Sequence, residues 1–214
     1  LRDLYTLTRS KINKNPIKAS SDIALDRKNS VLSELNKDEK SFVKNYFSKF
    51  SDSYFNKNAT ESLKWQSQLI IQNKNCDLVI ACKNKFDNLI EIFIKVDNSE
   101  GLFLKLTKTL EKSGLEIIDA NIFTSTDDKL AANTFITKFS HHDRALNQSE
   151  LKELSIRIIK NFNNYEDFSD SIKKAKKKIK FQNKLNITNT HNTSKGRNLI
   201  TIETSDRPGF LSDI

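Results

Sequence analysis

The sequence predicts an α+β protein, and three observations lead to that reading. Between residues 89 and 163, period-2 and helix-period apolar patterns follow one another in the order βαββα. A shift of 108 positions lays Ile200, Ile202, Gly209 and Phe210 on Ile92, Ile94, Gly101 and Leu102. Upstream of both, Phe42, Val43, Tyr46, Phe47 and Phe50 form an aromatic stripe at helical spacing, which predicts a packed helical neck. The βαββα order implies two helices on one face of an antiparallel sheet, the ferredoxin-like arrangement.

The neck comes first in the chain. Leu1, Leu4, Tyr5, Thr8 and Ile12 recur at helical spacing and predict the end of a helix packed on something upstream, whereas residues 13–30, rich in Asn, Ser, Lys and Asp around Pro16, read as a loop. A helix is expected to start near Asn36, with Glu39 three residues on as a capping box. The same device is expected at Asn58 and Glu61, opening a helix that carries Leu63, Trp65, Leu69 and Ile70.

The period then changes. A short strand is expected from Cys76 to Ala81, a polar turn over Lys83–Asn88, and a strand over Leu89–Val96 in which Ile90, Ile92 and Ile94 alternate with Glu91, Phe93 and Lys95. Asp97-Asn98-Ser99-Glu100-Gly101 makes a tight connection into a helix bearing Leu102, Phe103, Leu106 and Leu110, which stops at Gly114 as a C′ glycine. Strands over Leu115–Ser125 and Leu130–Phe139 flank a turn at 126–129, and a helix over Ser149–Asn163 presents Leu151, Leu154, Ile158 and Phe162.

Composition bounds what such a chain does. The 214 residues carry a net charge of +9, and 29% are charged. Residues 165–198 hold nine basic side chains against three acidic ones, so the excess charge concentrates in one stretch that reads as an interdomain linker. The lysines from Lys173 to Lys180 would also suit phosphate neutralisation, but with seven arginines in the chain and no aromatic series beside the lysines, base readout has little support. No apolar run reaches the roughly 20 residues of a membrane span and no signal peptide is evident, so a cytoplasmic location is expected. Cys76 and Cys82 lie six positions apart in a stretch that reads as extended, about 20 Å by strand rise, which excludes a bridge between them. Methionine is absent, position 1 included, so the chain is expected to be an internal piece of a longer protein.

The second copy of the repeat reads Asp206-Arg207-Pro208-Gly209-Phe210-Leu211 after an alternating strand, and this resembles the opening of an ACT domain. The first copy has Asn98 in place of the Asp and Glu100 in place of the Pro. A more specific resemblance spans nearly the whole chain. Leu1-Arg2-Asp3-Leu4-Tyr5-Thr6-Leu7-Thr8-Arg9, the aromatic helical segment, a unit containing Gly114-Leu115-Glu116-Ile117-Ile118-Asp119-Ala120-Asn121-Ile122, the basic linker and Asp206-Arg207-Pro208-Gly209 follow in an order similar to the C-terminal region of the bacterial PII uridylyltransferase/uridylyl-removing enzyme family.

That resemblance implies a domain plan: residues 1–75 as helical neck and end of an HD phosphohydrolase region, 76–164 as a first ACT domain, 165–198 as basic linker and 199–214 as the start of a truncated second ACT domain. It implies glutamine as effector, pairing between ACT units, the PII signalling protein as substrate of the parent enzyme, and magnesium or manganese in that enzyme's catalytic domains. No catalytic residue and no metal ligand is assigned within these 214 residues: His142-Asp143 is an HD dipeptide without the further ligands such a site needs. One alternative is an ACT region of another amino-acid-controlled enzyme, which would share the loop and lack the match at residues 1–9; the other, less favoured, is a basic nucleic-acid-binding module, which would present Lys173 to Lys180 as an ordered face.

Candidate effector residues follow from the loops. A glycine admits close backbone approach to a small zwitterion, amides at a helix start favour its carboxylate, and a nearby Asn or Asp accepts from its ammonium. Asn98, Gly101 and Leu102 are the residues for the first unit and Asp206 and Gly209 for the second; the resemblance adds Asn121 on the following strand as an effector candidate, because ACT units pair through their sheets and place ligands at the interface. Taken singly, Gly101 and Gly209 fit a tight strand-to-helix turn equally well.

Overall fold

The computed structural model describes residues 20–86, 88–139, 144–165, 186–192 and 197–203. Helices α1 (Ser20–Leu32), α2 (Lys37–Phe47), α3 (Asp52–Lys57) and α4 (Thr60–Gln72) form the neck. Strands β1 (Val79–Asn84) and β2 (Ile90–Asp97), helix α5 (Leu102–Lys112), strands β3 (Leu115–Asn121) and β4 (Leu130–Phe139), and helix α6 (Gln148–Asn163) follow. A separate hairpin pairs β5 (Asn186–Asn192) with β6 (Arg197–Glu203). The expected helix within residues 1–12 lies outside the described residues.

The main sheet is antiparallel, in the order β1-β2-β4-β3. Side chains alternate between its faces. Ile90, Ile92, Ile94 and Val96 of β2, with Phe135 of β4, share a core with Leu102, Leu106 and Leu110 of α5 and Leu151, Leu154, Ile158 and Phe162 of α6. Both helices therefore cover one face, as the βαββα order predicts. Helix α5 ends as expected at Gly114, whose φ of 81° is the left-handed conformation that a C′ glycine supplies. Helix α6 opens on a capping box that the sequence reading left unassigned: Asn147 Oδ1 accepts from the Glu150 amide at 2.9 Å while Glu150 Oε2 accepts from the Asn147 amide at 2.8 Å.

The opposite face is buried as well, by the neck. Phe93, Leu130 and Ala132 pack with Tyr46, Phe47, Phe50, Tyr54, Phe55, Leu63 and Ile70. Aromatic rings meet edge-to-face at Phe47–Phe55, 5.0 Å, and at Tyr54–Phe123, 5.2 Å, the geometry that ring quadrupoles favour. Within this layer lies a buried polar cluster. The Tyr54 hydroxyl donates to Gln66 Oε1 at 2.5 Å, Gln66 Nε2 donates to Thr134 Oγ1 at 3.0 Å, and Thr134 Oγ1 donates to Asn58 Oδ1 at 3.2 Å. These bonds join α4 and the α3–α4 connection to β4 with their polar atoms satisfied, which matters because an unpaired buried partner costs about 1–3 kcal/mol. On the same neck-facing side of the sheet Glu91 is buried beside Lys83 Nζ, 3.6 Å, and Lys85 Nζ, 3.5 Å, while Lys83 lies over the Trp65 ring at 4.5 Å. Burial pushes the Lys83 ammonium below its ordinary pKa, and Glu91 opposes that shift.

Several neck expectations are corrected. Residues 20–30, read as loop, belong to α1, because tertiary contacts override their weak local preference: Ala24 and Val31 are buried, and Arg27 donates to the carbonyls of Phe55 (2.7 Å), Asn56 (3.0 Å) and Asn58 (2.8 Å). The capping box at Asn36 and Glu39 is present, with Asn36 Oδ1 accepting from the Glu39 amide at 3.0 Å and Glu39 Oε2 from the Asn36 amide at 3.2 Å. No box forms at Asn58 and Glu61. Ala59 is the N-cap of α4, and Asn58 turns its side chain inward to the polar cluster, a more demanding partner than a solvent-exposed helix start. Strand β1 runs from Val79 to Asn84, later than the expected Cys76–Ala81, and takes Lys83 and Asn84 from the expected turn. Regular pairing of β3 ends at Asn121, four residues short of the expected Ser125, with one further bridge from Thr124 to Ala131. Both cysteines are free thiols, as expected.

The hairpin β5–β6 extends the internal repeat. Ile80 faces Ile94 in the first hairpin and Ile187 faces Ile202 in the second, so the shift is 108 along β6 but 107 along β5. The strands are separated by five positions in the first copy, residues 85–89, and four in the second, residues 193–196. Strand β5 falls within the 165–198 stretch read as linker.

Candidate effector site

Strand β2 delivers the chain to the candidate loop at Asp97, which lies opposite Leu130 of β4. Asn98 then fixes the loop twice to the β3–β4 connection: its amide donates to the Lys129 carbonyl at 2.8 Å and its side-chain Nδ2 to the Asp128 carbonyl at 2.9 Å. The Leu102 amide closes a turn onto the Ser99 carbonyl at 3.2 Å, and the Lys105 amide begins the helix by donating to the Gly101 carbonyl at 3.0 Å.

Gly101 is the N-cap of α5, with φ 71° and ψ 4°. A β-carbon there would meet nothing within 4 Å, so the positive φ, not crowding, demands glycine. The turn reading of Gly101 is thereby met in full. The same geometry leaves open space in front of the helix start. Among the described residues no side chain caps the first turn of α5, and no acidic residue lies in it; the Leu102 amide is taken by the Ser99 carbonyl, and the positive end of the helix dipole is left without a neighbouring carboxylate from that turn.

The other candidates separate. Leu102 is in the core, 7% exposed, so it contributes its backbone and not its side chain to the loop. Asn121 lies opposite Thr134 at the end of the edge strand β3, two strands and four positions from the Asp97–Leu130 pair, roughly 16 Å away by strand spacing and rise. Within one unit it does not meet the loop. Near it Ile118 and Ile122 are exposed at 49% and 42%, and Ile118 sits at a register shift between Ile117 and Asp119. Asp206 and Gly209 lie outside the described residues.

The β3–β4 turn, expected at 126–129, takes a part in the site that the sequence reading did not assign to it. Asp128 adopts φ 57°, the only positive φ at a non-glycine among the described residues. Asp127 stabilises the turn by accepting from the Ser125 hydroxyl at 2.5 Å and the Lys129 amide at 3.3 Å, and the Ser125 bond is the main reason its carboxyl is held below the usual range. The dipeptide Asp127-Asp128 was the available signal, since Asp tolerates left-handed backbone and bonds locally.

Comparison with known proteins fits this architecture. Residues 77–160 match the family model described as "Plant bHLH transcription factor, ACT-like domain". The chain is 23% identical over 175 residues to a bifunctional uridylyltransferase/uridylyl-removing enzyme of Psychrobacter sp. (strain PRwf-1), an alignment covering 76% of this chain and 19% of that protein. It is 23% identical over 230 residues to the enzyme of the same name from Acinetobacter baylyi, covering 100% of this chain and 25% of the relative, and 22% identical over 236 residues to that of Psychrobacter arcticus, again covering 100% and 25%. The chain thus spans about a quarter of the length of these relatives. Its sheet with two helices on one face is an ACT-like domain, and over its whole length the chain is homologous to the bifunctional uridylyltransferase/uridylyl-removing enzymes.

Proposed function

We propose that the chain is the glutamine-sensing regulatory region of a bifunctional uridylyltransferase/uridylyl-removing enzyme that acts on the PII signalling protein in the cytoplasm. The observation that carries this reading is the similarity to such enzymes along the whole chain, with an ACT-like unit in its middle. The uncapped start of α5 beside Asn98 supplies the chemistry: amides for the carboxylate of a free amino acid and a side-chain oxygen for its ammonium. Asp206 and Gly209 fill the same roles in a second ACT unit, which pairs with the first. Uridylyl transfer and removal, with the magnesium or manganese they use, belong to catalytic domains of the parent enzyme, and these 214 residues turn over neither reaction.

Regulation then needs only differential affinity. Glutamine shifts the parent between its two activities as far as it binds one arrangement of sensor and catalytic domains better than the other. A tenfold shift corresponds to about 1.4 kcal/mol of coupling, within reach of one or two charge-assisted hydrogen bonds. Asp206, a carboxylate where the first unit has an amide, carries the larger share.

Glutamine titration followed by amide NMR tests the binding. Saturable shifts at Gly101, Phe103 and Asn98 are expected with glutamine; their absence, or an equal response to other amino acids, refutes the glutamine assignment. In the parent enzyme Asp206→Ala is expected to blunt the glutamine response while basal uridylylation persists. An unchanged response there, with a lost response in Asn98→Ala, reverses the ranking of the two loops.

A further inference from the structure

We propose that the Asn98 carboxamide is a two-ended connector that transmits occupancy of the loop before α5 to the helical neck, by way of the β3–β4 turn. The proposal rests on the effector reading for what occupies the loop, and on the turn's own bonds for the transmission. One end of the carboxamide is committed: Nδ2 donates to the Asp128 carbonyl at 2.9 Å. The other end, Oδ1, has no partner among the described residues and belongs to an exposed residue at the mouth of the α5 start. A ligand ammonium donating to Oδ1 fixes the amide plane and polarises the same group toward Asp128.

Asp128 sits in a turn that is held as a unit. Its amide donates to the Ser125 carbonyl at 2.9 Å, the Ser125 amide donates to the Leu130 carbonyl at 2.7 Å, and the Leu130 amide donates to the Ser125 hydroxyl at 2.9 Å. From the far side of this turn the Thr126 amide donates to the Lys49 carbonyl at 2.8 Å, in the connection between α2 and α3. Both flanks also rest on the neck, Leu130 within its core and Phe123 edge-on to Tyr54 at 5.2 Å. A displacement of the Asp128 carbonyl therefore moves a segment bonded to the neck by backbone and packed on it by side chains.

Asn98→Asp separates the two ends. A carboxylate keeps an acceptor for an ammonium but has no donor for the Asp128 carbonyl, and at neutral pH it repels that oxygen. Hydrogen exchange by NMR on the 214-residue chain reads the connection at the Thr126 amide, with the Ile158 amide in α6 reporting global stability. Without ligand, Asn98→Asp and Asn98→Ala are both expected to speed Thr126 exchange at least threefold while Ile158 is unchanged. With glutamine, the wild type is expected to slow Thr126 exchange at least threefold, whereas Asn98→Asp shows the Gly101 shift of binding and no slowing. Thr126 exchange that is unaffected by both variants overturns the connector, as does equal slowing by glutamine in wild type and Asn98→Asp, or glutamine binding that leaves wild-type Thr126 exchange unchanged. A wild type in which glutamine shifts no amide refutes the glutamine reading alone, and the ligand-free comparison then decides the connector.

Discussion

The two faces of the four-stranded sheet are buried by different chemistry. On the α5–α6 face, aliphatic side chains of β2 meet leucines at helical spacing, with Phe135 at the centre. On the neck face, rings dominate, and a tyrosine, a glutamine, a threonine and an asparagine are bonded together among them. An aliphatic layer gains from burial with little regard to direction. The neck layer is directional, because its polar members lose heavily if they shift out of register. The first layer builds the domain; the second fixes where the neck sits on it.

The largest effects test whether the neck is a true core layer. Phe93→Ala and Phe135→Ala remove fully buried rings from opposite faces, and each is expected to cost about 3–5 kcal/mol in urea unfolding. A cost under about 1 kcal/mol for Phe93→Ala alone would show that the neck is only loosely applied. Gln66→Leu probes direction instead of burial. It strands the Tyr54 hydroxyl, while Thr134 Oγ1 keeps its bond to Asn58 Oδ1, for an expected loss of about 1–3 kcal/mol, and the double variant with Tyr54→Phe should recover part of that loss.

Alkaline pH weakens both layers through groups held neutral. Burial raises the Tyr46 and Tyr54 hydroxyls above 10.0 and the Cys82 thiol from 9.0 to about 11. The unfolded chain releases these protons first, so their contribution is complete below about pH 8 and is lost as pH rises toward the folded values. The urea midpoint is expected to fall between pH 8.5 and 10.5, both roughly bracketing the unperturbed range, and Cys82→Ser should remove only part of the fall. The smallest effects are local: Asn36→Ala and Asn147→Ala each delete a capping box, one per layer, at about 1 kcal/mol each by thermal unfolding.

The aliphatic layer was legible because one period governs it. Ile90, Ile92 and Ile94 alternate, and Leu102, Leu106 and Leu110 repeat by four, so strand, helix and shared face follow from spacing alone. The neck layer was half legible. Its aromatic stripe required burial, but nothing local said that the partner was the second face of the sheet, where Glu91 and Lys95 flank Phe93. Helix α1 was lost for the same reason, since Arg27 acts on carbonyls some thirty residues away. At the candidate site Gly101 was readable from its place between strand and helix, whereas the second bond of Asn98 was not, because its acceptor is a backbone carbonyl of a distant turn.

The edge position of β1 has a consequence for biosynthesis. The strand that completes the sheet beside β2 precedes it in the chain and follows directly on the neck, so the four strands and both covering helices are in hand once residue 163 has been made. Nothing in the β5–β6 hairpin is needed to finish that sheet, since the hairpin pairs with itself. As the chain emerges from the ribosome, the neck and first unit can therefore reach their final pairing before residues 186–203 are synthesised, and the repeated hairpin, with its similar strand pattern, appears too late to compete for the place of β1.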